Sequence, residues 1–305
     1  MKLIFMGTPA FAVPTLERIA AAGHQVIAVF TQPDRPKGRG HKESMPPVKE
    51  AALRLGLPVY QPERVRRPEV VEQLRQMAPD AIVVVGYGQI IPKAILEIPP
   101  HGIINVHASL LPKYRGAAPI QWAIARGETR TGVTTMRINE GLDTGDMLLK
   151  WETEIGPEEN AVELGARLAE AGADLLVRTL GELSSIRPEP QDDAQATLAP
   201  ILKKEDGKID WRLSAREILN RIRGFEPWPG GYGFLRGQRL QIAKAALGEP
   251  KLPPGALRVV HNKLYAGCGA GESIELREVQ LEGKKRMPAA AFLNGFALSA
   301  DEVLQ

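Results

Sequence analysis

Two short stretches of this 305-residue sequence carry side chains that could do chemistry together. The first runs Asn105-Val106-His107-Ala108-Ser109-Leu110-Leu111-Pro112 and continues Lys113-Tyr114-Arg115-Gly116. The second is Gly141-Leu142-Asp143-Thr144-Gly145-Asp146. Asn105 and His107 are two apart, a spacing that on a strand sends both side chains to one face. An amide N–H can hold a carbonyl oxygen while negative charge develops on it, and losing one such donor costs about 10²–10³ in rate. An imidazole changes charge near neutrality and can take and return a proton. A nearby aspartate can orient the ring and stabilise its charged form. Asp143 is the first candidate for that place and Asp146 the second. Each residue alone has a plainer reading. Asn105 could satisfy local turn backbone, His107 could be a structural histidine, and Asp146 could cap its turn.

What the set lacks narrows its chemistry. Ser109 stands near His107, but no G-x-S-x-G elbow surrounds it. Cys268 is the one cysteine and is far away in sequence, so it makes no internal disulfide or thiolate cage. No run of residues offers three metal ligands at suitable spacing, and the 141–146 loop fails the calcium-loop pattern. The remaining chemistry is direct transfer. An incoming amine attacks a carbonyl, Asn105 holds the oxyanion, and His107 moves the proton.

The elements that must position these residues read as alternating strands and helices. Residues 3–6 form a first strand, which turns at Gly7-Thr8-Pro9 into a helix over 10–22. A second strand covers 25–30, so the pair should be parallel. The G-x-G-x-x-G fingerprint is missing after the first strand, which argues against a dinucleotide. Helices over 47–55 and 69–77 flank a short strand at 57–60. The run Ala81-Ile82-Val83-Val84-Val85 is apolar and β-branched, as a strand covered on both faces should be. It ends at Gly86-Tyr87-Gly88. The apolar residues 103–104 then lead into Asn105 and His107, at the kind of strand end where open α/β sheets bind ligands. A helix over 117–126, strands over 131–138 and 147–151, and a long amphipathic helix over 157–183 complete this part. Residues 31–42, with Arg35, Lys37, Arg39 and Lys42, read as a long loop whose prolines and glycines preclude a regular element. It is either a solvated loop or a phosphate contact.

The expected fold class is α/β. A Rossmann-like, mostly parallel sheet over 1–186 is followed by a proline-punctuated linker over 187–205. A smaller OB-type β-barrel over 206–305 is expected from five short strands between glycine turns. Hydrophobic residues make up 44% of the chain and charged ones 25%, the balance of a soluble globular protein. No apolar run approaches the ~20 residues of a membrane span. The expectation is a cytoplasmic protein that does not engage a membrane, and nothing demands more than a monomer. The basic excess lies in residues 203–305, a hint of a polyanionic partner.

The motif Asn105-Val106-His107-x-Ser109-Leu110-Leu111-Pro112, with Arg115-Gly116 and Leu142-Asp143-Thr144-Gly145-Asp146, resembles the signature of the folate-dependent formyltransferase family. The resemblance implies transfer of a formyl group from 10-formyltetrahydrofolate to an amine, without a metal. Asn105, His107 and Asp143 would be the catalytic trio. Ser109, Leu110, Leu111 and Pro112 would contact the folate, joined by Tyr87 and Gly88. Phe5-x-Gly7-Thr8-Pro9, the stretch from Phe30 to Gly40, and Arg115-Gly116-Ala117-Ala118-Pro119-Ile120-Gln121 narrow it. So do Ile209-Asp210-Trp211 and Pro227-Trp228-Pro229. They are similar to the members that formylate methionine on initiator Met-tRNA. That branch implies tRNA contacts by Arg39 foremost, with Arg35 and Lys42. Position 108 is Ala where the family often has Gly. The rival readings are formylation of a different amine and a non-catalytic tRNA-binding module.

Overall fold

The computed structural model describes residues 1–37, 42–299 and 301–305. Residues 1–116, 131–153 and 165–198 form one compact unit; residues 117–130, 154–164 and 199–305 form a second.

The first unit is built on β1 (Lys2–Gly7), α1 (Val13–Ala21), β2 (Gln25–Phe30), β3 (Arg35–Lys37), β4 (Lys42–Ser44), α2 (Pro47–Arg54), β5 (Val59–Tyr60), α3 (Pro68–Met77), β6 (Ala81–Val85), α4 (Lys93–Leu96) and β7 (Ile103–His107). After α5 (Pro119–Ala125), which belongs to the second unit, come β8 (Arg130–Arg137), β9 (Met147–Glu154) and α6 (Ala161–Gly181), whose first turn also falls in the second unit. The main sheet has the order β5-β2-β1-β6-β7-β8-β9. Its first five strands are mutually parallel, and β8 runs antiparallel to β7. From β1 the chain winds outward one way through β2 and β5, then returns and winds the other way through β6 and β7. The reversal lies between β1 and β6, and the carboxyl ends of strands at such a point form the ligand crevice of doubly wound sheets. All five residues of β6 are buried, as are all five of β7. Ile4, Met6, Phe30, Leu74, Ile82 and Ile95 pack in the core on one side of this sheet.

Several expected elements end where their caps are. The long helix begins at Ala161, not at 157, because Asn160 Oδ1 accepts the N–H groups of Val162 and Glu163 and acts as its cap. Residues 10–12 form a separate 3₁₀ turn before α1, whose first turn takes Pro14. The stretch expected to have no regular element forms a short antiparallel hairpin, β3 with β4.

The second unit adds α7 (Ala215–Gly224), β10 (Gly231–Leu235), β11 (Gln238–Leu247), β12 (Leu257–Val260), β13 (Lys263–Gly267), β14 (Ser273–Leu281), β15 (Met287–Pro288) and α8 (Ala289–Gly295). Ser214 caps α7 with a reciprocal Glu217 bond. The strands follow the antiparallel path β10-β11-β14-β13-β12, with β15 added beside β14. The sheet is open: among the described residues β10 and β12 do not pair, unlike the strands of the expected barrel. The C-terminal tail takes that place. Phe234 and Gln305 exchange both backbone hydrogen bonds, while Leu257 N–H donates to Glu302 and Leu304 N–H to Gly255. Ile209, Trp211, Ile218, Leu240, Leu264 and Leu276 are among the core residues beneath the sheet. Among the described residues no helix is long and apolar enough to cross a membrane.

Candidate active site

Three strand ends meet the chemistry. The β1 end is tied to the β6 end because Thr8 Oγ1 donates to the Tyr87 carbonyl at 3.0 Å. Gln32, after β2, donates its amide to the same oxygen at 3.2 Å. Gly86 takes a positive φ of 56°, and a Cβ there would lie 2.9 Å from Pro9 Cγ. Only glycine permits that turn and that approach together. The Tyr87 ring, 1% exposed, sits in the core of the unit. Burial pushes its phenol well above the usual range, and the hydroxyl has no partner. Whatever the 86–88 turn offers a ligand, it offers through backbone and Gly88.

Asn105 and His107 lie on β7 with one residue between them, opposite Met136 and Thr134 of β8. Both are buried. The Asn105 amide has no hydrogen-bond partner among the described residues, which leaves its N–H groups available to an incoming oxygen. His107 is held at one nitrogen. Its Nε2 lies 2.9 Å from the Tyr114 carbonyl oxygen. A carbonyl can only accept, so Nε2 carries the proton of that bond. Nδ1 is the nitrogen left to gain and lose one, and it lies 3.7 Å from Asp143 Oδ2. Asp143 is the aspartate that faces the ring; the backbone carbonyl of Asp146 accepts the Arg137 N–H instead.

The backbone that presents this pair is strained. Tyr114 has φ 62° and Asp143 φ 51°, both left-handed. Such conformations cost on the order of 1–3 kcal/mol each in non-glycine residues. The loop after β7 is stapled to β8 to carry that cost. Thr134 Oγ1 donates to the Ser109 carbonyl at 2.7 Å and accepts the Leu111 N–H at 3.1 Å. Ser109 itself is fully buried, and its Oγ donates to the Lys113 carbonyl at 2.6 Å. Its hydroxyl is therefore spent on the loop, while Leu110 and Pro112 are half-buried and Leu111 packs with Met136 and Met147. The Leu111–Pro112 peptide is cis. In the 141–146 loop, a Cβ on Gly145 would lie 1.8 Å from the Arg137 carbonyl oxygen, so glycine alone fits.

Sequence reasoning missed the residues that fasten these loops. Arg115 is 6% exposed, with Nε donating to Gln191 Oε1 at 2.9 Å and Nη2 to Asp193 at 2.7 Å. Gln191 and Asp193 fall in the stretch whose prolines suggested a linker; residues 187–198 belong to the first unit. The signal that could have found them is the density of polar side chains, not the prolines.

Of the basic residues expected to meet a nucleic acid, Arg35 is exposed at the start of β3. Lys42 opens β4. Arg39 lies outside the described residues. The root of this hairpin is fixed: Asp34 pairs with Lys49 at 2.5 Å and accepts from Gln61 at 2.7 Å. No group of three or more metal-ligating side chains gathers among the described residues.

Comparison with known proteins matches this arrangement to a family. The pattern described as formyl transferase matches residues 1–180, and that described as formyl transferase, C-terminal domain, matches residues 201–297. The methionyl-tRNA formyltransferase of Solibacter usitatus is 62% identical over 100% of this chain and 98% of its own length. That of Geobacter sulfurreducens is 52% identical over 98% and 95%. A Helicobacter canadensis N-formyltransferase, solved with folinic acid and dTDP-3-aminofucose, superposes with a TM-score of 0.67 at 19% identity, covering 90% of this chain and 98% of that one. HypX from Aquifex aeolicus, solved with tetrahydrofolic acid, gives 0.64 at 16% identity, covering 96% and 47%. Such distant likenesses speak to the fold, whereas the full-length relatives speak to kinship: the chain belongs to the formyl transferase family.

Proposed function

We propose that this protein transfers the formyl group of 10-formyltetrahydrofolate to the α-amino group of methionine on initiator tRNA. The observation that carries the chemistry is the divided duty of His107. One nitrogen is anchored to the Tyr114 carbonyl, and the other faces Asp143 beside the unengaged amide of Asn105. The methionine amine, neutral, attacks the formyl carbon. A C–N bond forms, and the carbonyl π pair moves onto oxygen, where the Asn105 N–H meets the developing charge. The amine nitrogen gives its proton to His107 Nδ1, and Asp143 stabilises the imidazolium that results. The tetrahedral adduct then collapses. The bond from carbon to the folate N10 breaks, and the proton held at Nδ1 passes to that nitrogen, releasing tetrahydrofolate. No covalent enzyme intermediate is needed.

The folate would lie along the 110–112 loop and the Gly88 turn, since both follow the carboxyl ends of the neighbouring parallel strands β6 and β7, on one side of the sheet reversal. The full-length relatives named for methionyl-tRNA support tRNA as the acceptor. The basic stretch of sequence carrying Arg35, Arg39 and Lys42 is suited to the acceptor end, and the basic residues of 203–305 to the phosphate backbone. The second unit is read as barrel-like, on the ground that its tail hydrogen-bonds to both end strands of the open sheet. The test is formyl transfer from 10-formyltetrahydrofolate to initiator Met-tRNA by the intact protein and by His107→Ala. Transfer to a free small amine but not to Met-tRNA would overturn the acceptor, and undiminished transfer by His107→Ala would overturn the mechanism.

A further inference from the structure

The His107–Asp143 pair is assembled from two loops. The 113–116 turn presents the carbonyl that anchors His107, at a left-handed tyrosine. The 141–146 loop presents Asp143, also left-handed. One segment touches both. Thr197 holds the first: its Oγ1 accepts the Tyr114 N–H at 2.9 Å, and its carbonyl accepts the Arg115 N–H at 2.8 Å. Gln191 holds the second. Its Nε2 donates both protons, one to the Asp143 carbonyl at 2.8 Å and one to the Gly145 carbonyl at 2.7 Å. Its Oε1 is occupied by Arg115 Nε, so the amide can face only one way. Glu189 and Met147 exchange both backbone hydrogen bonds just beyond, which fixes the segment against the start of β9.

The loops are also joined directly, because Gly116 N–H donates to Asp143 Oδ2 at 2.8 Å. That oxygen is the one facing His107 Nδ1. A small rotation of the Asp143 backbone would therefore move the carboxylate away from both partners at once. Gln191 is the side chain that opposes that rotation.

We infer that Gln191 is a positioning residue for formyl transfer: by tying the Asp143 and Gly145 carbonyls to Arg115, it sets the distance between Asp143 and His107. It touches neither substrate and acts through Asp143. The inference rests on the proposed function for its kinetic consequence, while its structural consequence stands independently of it.

Gln191→Leu removes both donors and keeps an apolar stem of similar reach. Gln191→Glu keeps an acceptor for Arg115 and places a carboxylate against two carbonyls, so it separates the two attachments. Both variants are expected to lower kcat for Met-tRNA formylation about 10²-fold, the cost of an ångström-scale misplacement. KM for either substrate should stay within about twofold of the parent, because the hydrogen bonds that Gln191 makes are not to substrate. In an Asp143→Asn background, Gln191→Leu should cost nothing further, because a residue that acts only through Asp143 has nothing left to position. The Gly116 amide, whose proton Asp143 holds, is the reporter that needs no substrate. Its hydrogen exchange, read by NMR, should speed up by about tenfold or more in Gln191→Leu at an unchanged global melting temperature. Unchanged exchange at Gly116 would overturn the inference, as would losses from Gln191→Leu and Asp143→Asn that multiply. If the parent protein transferred no formyl group to Met-tRNA, the proposed function would fall, and the Gly116 exchange alone would decide the role of Gln191. If Gln191→Leu fails to fold, Gln191→Glu carries the same comparisons.

Discussion

His107 Nε2 lies 2.9 Å from the carbonyl oxygen of Tyr114, a residue whose own backbone is left-handed. That contact assigns the two ring nitrogens different work. In the proposed reaction the anchored nitrogen holds the ring's orientation, and the one facing Asp143 exchanges the proton. A side chain that kept the anchor but not the basic nitrogen would separate the two tasks. His107→Gln, whose amide nitrogen lies about as far along the side chain as Nε2, retains an N–H that can reach toward the Tyr114 carbonyl and has no basic site. It is expected to fold with an unchanged circular dichroism spectrum and to lose about 10²–10⁴ in kcat, the usual worth of a positioned acid–base group. Transfer of labelled formyl to Met-tRNA measures it. A variant within about tenfold of the parent would remove the imidazole from the proton path.

Asn105 makes the complementary case. Its amide is buried but makes no hydrogen bond among the described residues, so its removal breaks nothing internal. Asn105→Ala should melt within a few degrees of the parent and lose about 10²–10³ in kcat. Asn105→Asp, which presents a carboxylate to a developing oxyanion, should lose more than Asn105→Ala. The reverse order would mean that the charge develops elsewhere.

The placement of Asn105 and His107 together on one strand was legible in the sequence because β7 announces itself. An apolar run buried on both faces ends in Asn-x-His, and the alternation of a strand does the rest. The parallel sheet was legible for the same reason, through βα units whose periods differ. Gln191 and Thr197 were not. They bond to Arg115 and Tyr114 from 76 and 83 positions away, and the prolines and polar side chains of their segment say where a helix cannot be without naming those partners. Ser109 was read as a ligand contact, and its hydroxyl also donates to the Lys113 carbonyl four residues on. The β3–β4 hairpin was invisible because a two-stranded ladder tolerates proline on its free edge, which no single-residue propensity records.

Asp34 fixes the root of that hairpin. The Lys49 ammonium, and then the Gln61 amide, hold its carboxyl below the usual carboxylate range. A depressed carboxyl stabilises the fold where the unfolded chain would also be ionised, that is above about pH 4. The contribution is lost as pH falls through the lower folded value. Asp34→Asn should therefore melt below the parent at pH 7, with a gap that narrows as pH drops under about 4. If the hairpin carries the acceptor end, the same variant should raise KM for Met-tRNA more than KM for the folate. A gap that widens in acid would mean that Asp34 is not the ionised partner of Lys49.

The tail offers a sharper pH signature, because its anchoring carboxylate is more strongly perturbed. The Arg236 guanidinium, with help from Ser299, holds Glu302 down to about 2. Arg236 Nη2 is 2.6 Å from Glu302 Oε2. Glu302's carbonyl accepts the Leu257 N–H, and Gln305 pairs with Phe234, so the ion pair fastens a segment lying along the edges of β10 and β12. Edges left bare invite pairing with other chains. Glu302→Gln keeps the shape and removes the charge. Its melting temperature should fall below the parent's at pH 7. The difference should hold down to about pH 4, where the unfolded glutamate begins to protonate. It should then close as pH approaches about 2, where the parent's own carboxylate is neutralised in the folded state. The parent should stay monodisperse at concentrations where a chain ending at residue 300 self-associates, measured by light scattering. Equal scattering from the two would mean that the β10 and β12 edges need no cover, and that the tail's hydrogen bonds serve the unit's stability alone.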